Sequence, residues 1–133
     1  MKQVAIGIDI GGTNTAIGVV DEAGNILYEK KPSLPTPQKR DNPQGSESRS
    51  EELLNAYVDA LVKEIKVAAE TVKQINPSMK IMGIGIGAPN ANYYRGTIEY
   101  APNLPFVGII NFTERLEKAL PEFSIIKLTN DAN

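Results

Sequence analysis

Three strand-like stretches fill the first thirty residues, and the turns between them are too short for anything but antiparallel neighbours. Val4-Ala5-Ile6-Gly7-Ile8-Asp9-Ile10 is β-branched on one parity and small or acidic on the other, the pattern of a central strand. Gly11-Gly12-Thr13-Asn14 is a turn, and Thr15 to Val20 resumes the strand pattern. Asp21-Glu22-Ala23-Gly24-Asn25 turns again, and Ile26 to Lys30 reads as a third strand. A parallel return would need a dozen or more residues, so the chain opens with a three-stranded meander.

The rest alternates helix and strand. Pro32 to Ser50 carries four prolines, Gly45 and several polar residues. It reads as a long loop, for which a mobile surface insertion is the preferred reading and a flap near a substrate cleft the alternative. From Glu51 to about Ile75, Leu54, Tyr57/Val58, Leu61, Ile65, Ala68, Val72 and Ile75 recur at helical spacing. Ser50 is placed to cap that helix, Glu51 and Glu52 suit its positive end, and Asn76-Pro77 stops it. Lys80 to Gly87 predicts a fourth strand with Met82, Ile84 and Ile86 on one face and Gly83, Gly85 and Gly87 on the other. Asn90 to Gly96 turns, and Thr97 to Tyr100 is expected to add a short strand. A second helix is predicted after Asn111, a plausible cap with Glu114 three residues on, and Ser124 to Thr129 predicts a fifth strand. Helices between the third, fourth and fifth strands imply right-handed crossovers, making strands one, four and five parallel. The expected fold is therefore α/β: a five-stranded mixed sheet with the antiparallel meander at one edge and flanking helices.

Composition narrows the function. At 133 residues the chain has a one-domain length. Its net charge of −2 and lack of a basic cluster beyond Gln38-Lys39-Arg40 argue against a nucleic-acid partner. There is no cysteine for disulfides or thiolate metal sites, and no histidine to act as base or ligand. Asp9 interrupts the first apolar run, no cleavage site follows, and no stretch approaches the roughly 18 apolar residues of a membrane span. A soluble, cytoplasmic protein with no membrane partner is the expectation.

Four segments carry candidate chemistry. In Asp9-Ile10-Gly11-Gly12-Thr13-Asn14, two glycines allow close approach of backbone N–H groups to phosphate oxygens, while Thr13 and Asn14 add donors. Asp9 would repel a bare phosphate, so its presence there argues for a bridging Mg²⁺. The segment lacks a P-loop lysine, and a strand rather than a dinucleotide-binding helix follows it. A plain hairpin turn is the alternative. On the glycine strand, Gly83 and Gly85 are expected to pack against the long helix. Gly87 lies at the strand's C-terminal end, where open α/β sheets bind ligands. The third and fourth segments are Ala101-Pro102-Asn103-Leu104-Pro105 and Thr129-Asn130-Asp131-Ala132-Asn133. Their Asn amides suit paired sugar hydroxyls, and an Asp beside a hydroxyl can accept its proton. Either segment in isolation could instead be a turn or helix cap.

Together these motifs closely resemble the sugar-kinase branch of the ROK family (repressors, open reading frames, kinases). The likeness runs from Gly7-Ile8-Asp9-Ile10-Gly11-Gly12-Thr13 through Gly85-Ile86-Gly87-Ala88-Pro89 and Ala101-Pro102-Asn103-Leu104 to Asn130-Asp131-Ala132-Asn133. The resemblance implies a ribonuclease-H-like, actin-like ATPase fold and residues 1–133 as the N-terminal domain of a two-domain kinase, its second domain absent from this chain. It implies ATP-dependent phosphotransfer to a glucose-like hexose, with ATP and Mg²⁺ as cofactors and the isolated piece inactive. Asp9, Gly11, Gly12, Thr13 and Asn14 would form the ATP-phosphate and Mg²⁺ loop. Gly87, Asn103, Asn130 and Asp131 would contact sugar, with Asp131 the catalytic base. A homo-oligomer is expected at full length. A non-catalytic sugar sensor of the same family is the alternative. One departure concerns the sugar: many relatives have Gly-Pro after Pro89, where this chain has Asn90-Ala91-Asn92-Tyr93-Tyr94. Family repressors carry a DNA-binding module before the phosphate loop, and with eight residues preceding Asp9 none is expected in this sequence.

Overall fold

The computed structural model describes residues 2–130. In chain order the elements are β1 (Gln3–Ile10), β2 (Asn14–Asp21), β3 (Ile26–Glu29), β4 (Leu34–Pro35), α1 (Glu47–Ile75), β5 (Lys80–Ala88), β6 (Ala91–Asn92), β7 (Thr97–Glu99), β8 (Ile109–Ile110), α2 (Phe112–Ala119) and β9 (Ile126–Asn130). The main sheet runs β3-β2-β1-β5-β9, with β1, β5 and β9 parallel and the meander antiparallel, as the turn lengths dictate. A sixth, two-residue strand, β4, pairs with β2 at Asn14 and Thr15. Strands β6, β7 and β8 form a separate small sheet, of which β8 carried no signal in the sequence.

One face of the main sheet is the core. Val4, Ile6, Ile8 and Ile10 of β1, Ile17 and Val19 of β2, and Ile84, Ile86 and Ala88 of β5 are all buried there. The stripe Leu54, Tyr57, Leu61, Ile65, Ala68 and Val72 of α1 closes over them, as does Leu116 of α2. Fully burying each aliphatic side chain contributes roughly 1.5–3 kcal/mol, which is why the period-2 and period-3.6 patterns decide the fold. The opposite face is nearly bare: Gly7, Ala16 and Gly85 are exposed, and a Cβ on Gly7 or Gly85 would meet nothing within 4 Å.

Four expectations need correction. Helix α1 starts at Glu47, one turn earlier than expected, and its cap is Ser46, whose Oγ accepts the Arg49 N–H at 3.2 Å. Ser50 is instead buried inside the helix, its Oγ accepting the Val107 N–H at 2.8 Å. Asn111 precedes α2, but its side chain makes no capping hydrogen bond. Residues 32–50 are not a loose surface insertion: β4 and a 3-10 turn at Lys39–Asp41 lie within them, and Thr36 and Asn42 are buried. Last, Gly83 and Gly85 do not pack on the long helix. A Cβ on Gly83 would stand 2.8 Å from the Ile125 carbonyl oxygen, so this glycine admits the chain entering β9, while Gly85 faces the bare side.

Candidate functional site

Because β1, β5 and β9 are parallel, their C-terminal ends share one rim of the sheet. Sheet register aligns the candidate residues: Asp9 pairs with Gly87, Gly87 pairs with Thr129, and Asn130 is the next residue. Two strand spacings separate Asp9 from Thr129, about 10 Å. Gly87, between them, places no side chain in that row. Asp9 is exposed on the bare face, and its carboxylate has no hydrogen-bond or ion-pair partner among the described residues.

The loop after β1 is closed by the Gly11 N–H donating to the Asn14 carbonyl at 3.0 Å. A Cβ on Gly11 would come within 2.8 Å of that same oxygen, which explains this glycine by close approach. Gly12 faces open space, and the exposed Asn14 amide donates to Thr13 Oγ1 at 3.2 Å. Behind the loop stands the segment after β4. The Thr36 N–H donates to the Thr13 carbonyl at 3.0 Å, and the Gln38 Nε2 amide donates to the Gly12 carbonyl at 2.6 Å. Beneath it, the Thr15 hydroxyl is hydrogen-bonded to those of both Thr36 (2.8 Å) and Tyr57 (2.5 Å). Burial pushes the Tyr57 phenol up to about 12, so it stays protonated and the buried cluster uncharged.

The second half of the rim is built by the hairpin after β5. Asn90 has φ 55, the left-handed conformation that glycine or asparagine adopts most readily. Its side-chain amide donates to the carbonyls of Glu99 (3.1 Å) and Tyr100 (3.2 Å), tying the end of β5 to the segment leading into Ala101-Pro102-Asn103. Tyr100, at φ 53, is the only other non-glycine with positive φ among the described residues. The Asn103 segment is fastened farther on: Asn42 Nδ2 donates to the Pro105 carbonyl at 3.0 Å, and Ser50 holds the Val107 N–H. Leu104 and Phe106 are buried, leaving Asn103 exposed at the bend. Asn130 meets Asn90, Asn92, Tyr93 and Glu99 around an open concavity of about 450 Å³. Asn103 does not line this concavity.

The structure thus brings Asp9, Gly11, Gly12, Thr13, Asn14, Gly87 and Asn130 to one rim. Asp131, the expected base, lies outside the described residues. Gln38, Thr36 and Asn42 were missed because their segment reads as loop; only the polar side chains among its prolines hinted at a role. A surface concavity of about 660 Å³ between α1 and α2 holds none of the candidate residues. No group of three or more metal-ligating side chains is found among the described residues. Nor is any helix among them long and apolar enough to cross a membrane.

Known proteins resemble this chain in sequence and fold. Residues 5–133 match the ROK family. A glucokinase of Streptomyces coelicolor is 37% identical over 102 residues, covering 76% of this chain and 25% of the relative. The crystal structure of a ROK family glucokinase from Streptomyces griseus, in complex with glucose and AMPPNP, superposes with a TM-score of 0.63 at 27% identity. That match covers 98% of this chain and 34% of the other. A ROK family transcriptional regulator shares the fold, with a TM-score of 0.65 at 15% identity over 97% of this chain and 28% of its own. This chain therefore spans between a quarter and about a third of the length of these relatives. A family match across nearly the whole chain, joined to a mixed sheet of the actin-like ATPase fold, establishes that the chain belongs to the ROK family.

Proposed function

We propose that this chain is the N-terminal domain of an ATP-dependent kinase acting on a glucose-like hexose. One observation carries the reading: parallel β1, β5 and β9 bring the phosphate-type loop and the Asn130 segment to the same rim, about two strand spacings apart. Exposed donors of the Gly11-Gly12-Thr13-Asn14 turn would hold ATP phosphates, and Gly87 leaves the space between them and the sugar open. The unengaged Asp9 carboxylate suits Mg²⁺, which takes one or two carboxylates plus phosphate oxygens and water. Bound there, Mg²⁺ would neutralise charge on the phosphates. Asn103 and Asn130 would hydrogen-bond sugar hydroxyls, fixing which one faces the phosphate. Asp131 would accept the proton of that hydroxyl as its oxygen attacks phosphorus.

The test uses the full-length protein, a panel of hexoses and ATP. Asp131→Asn keeps size and hydrogen bonding but removes basicity, so kcat should fall by about 10²–10⁴ with a smaller change in sugar affinity. Asp9→Asn should impair use of Mg²⁺·ATP and leave sugar binding nearly intact. Near wild-type turnover by Asp131→Asn would assign that residue to helix capping, where Asn serves as well as Asp. The alternative, a sugar-sensing regulator, predicts sugar binding with no ATP consumption by the wild-type protein.

A further inference from the structure

Behind the phosphate-type loop, one side chain of the segment after β4 reaches the loop itself. Gln38 reaches back across 26 positions to donate its Nε2 amide to the Gly12 carbonyl at 2.6 Å, and the same nitrogen donates to the Thr36 carbonyl at 2.9 Å. Gln38 is itself held: its N–H donates to Asp41 Oδ2 at 2.8 Å, and the Asp41 N–H returns to the Gln38 carbonyl at 2.9 Å. The Thr36 N–H fixes the next carbonyl of the loop, that of Thr13, at 3.0 Å. Two successive loop carbonyls, Gly12 and Thr13, are therefore drawn toward the same wall.

A trans peptide is planar, with its C=O and N–H pointing to opposite sides. Drawing the Gly12 carbonyl toward Gln38 turns the Thr13 N–H away from that wall. Among the described residues, neither the Gly12 N–H nor the Thr13 N–H has an acceptor, and a Cβ on Gly12 would find open space. Adjacent unpaired N–H groups beside a bare glycine form the donor set that phosphate oxygens require. Without Gln38, the Gly12 carbonyl loses its anchor, and glycine itself adds little restraint on the plane of the Gly12–Thr13 peptide. We infer that Gln38 is a positioning residue for the nucleotide: it locks the Gly12–Thr13 peptide plane so that its N–H is presented to phosphate before ATP arrives. This rests on the kinase reading above and deepens it, because that reading does not say what orients the loop.

The test is AMPPNP titration of the full-length protein with Mg²⁺, for wild type, Gln38→Met and Gln38→Ala, with a parallel glucose titration. Gln38 is only partly buried, and Met keeps its length while removing the donor. Misaligned donors are expected to weaken AMPPNP binding about 10-fold or more and lower kcat/KM for ATP by about 10–100-fold, glucose affinity staying within about twofold. A general loss of structure would lower both affinities together and overturn the inference. AMPPNP affinity within about twofold of wild type in both variants would also overturn it, leaving the kinase reading intact. Failure of the wild-type protein to bind AMPPNP would instead sink the kinase reading, and this inference with it.

Discussion

Replacing Asn90 by glycine and by alanine should give an order of stability opposite to the usual one. Glycine is normally worse than alanine by roughly 0.5–1 kcal/mol, because it loses more backbone freedom on folding. At Asn90 the backbone sits at φ 55, where an L-residue with a Cβ incurs about 1–2 kcal/mol that glycine escapes. Both substitutions delete the amide that bridges the Glu99 and Tyr100 carbonyls, a net loss of about 0.5–1.5 kcal/mol at this exposed site. Asn90→Gly should therefore cost about 1–2 kcal/mol, and Asn90→Ala about 1 kcal/mol more. With a urea m-value of about 1–3 kcal/mol/M, the two midpoints should differ by roughly 0.5 M, glycine the higher. Equilibrium urea unfolding followed by far-ultraviolet circular dichroism reads the order directly. If Asn90→Ala is as stable as Asn90→Gly, the left-handed conformation at this residue is not what decides its identity. The same comparison gives a physical reason for the departure after Pro89: asparagine replaces glycine where the backbone asks for either, and adds a clasp that glycine cannot make.

Gly83→Ala should destabilise by about 1–3 kcal/mol, since the new methyl would meet the Ile125 carbonyl at 2.8 Å, whereas Gly85→Ala, two residues on and facing open space, should be near neutral; matched urea midpoints for the pair would refute the packing argument. Asp21 is held down to about 2, chiefly by the Asn25 backbone N–H, then by the Asn25 side chain, with Lys2 and the Ala23 N–H adding to it. A depressed carboxylate contributes stability that is fully present above its unfolded value of 3.8 and is lost as pH falls through about 2. Asp21→Asn should accordingly flatten the dependence of the unfolding midpoint on pH between about 4 and 2; an unchanged slope would mean that the turn at Ala23–Asn25 does not hold the ionised form.

The sheet order was legible because burial obeys a period. Ile6, Ile8 and Ile10 can reach the core only on one parity, and turns as short as Gly11–Thr13 leave one pairing geometry open. What the pattern could not decide was choice among equals. Ser46, Ser48 and Ser50 all have the chemistry of a cap, and the selection of Ser46 follows from a contact 57 positions distant, where Ser50 is engaged by Val107. Alternating glycines likewise announce that a side chain is unwanted without saying by whom: Ile125 excludes it at Gly83, and nothing does at Gly85. The site divides the same way. Asp9, Gly87 and Asn130 lie in the last two residues of their strands and could be placed from topology alone. Thr36, Gln38 and Asn42 act through hydrogen bonds across the fold, and a proline-rich polar segment looks the same whether or not such bonds exist.

The first turns of α1 touch both halves of the rim. Ser46 and Ser50 hold Asn42 and Val107, and with them the bend that carries Asn103, while Tyr57 reaches the Thr15–Thr36 pair under the phosphate-type loop. Ser46 and Tyr57 are eleven residues apart in a single uninterrupted helix, about 16 Å along a stiff rod. The two loops are thus two hooks on one beam, and a tilt of the beam moves them in concert. A load applied at the Asn103 bend is felt at the Gly11–Asn14 loop without any change of fold between them.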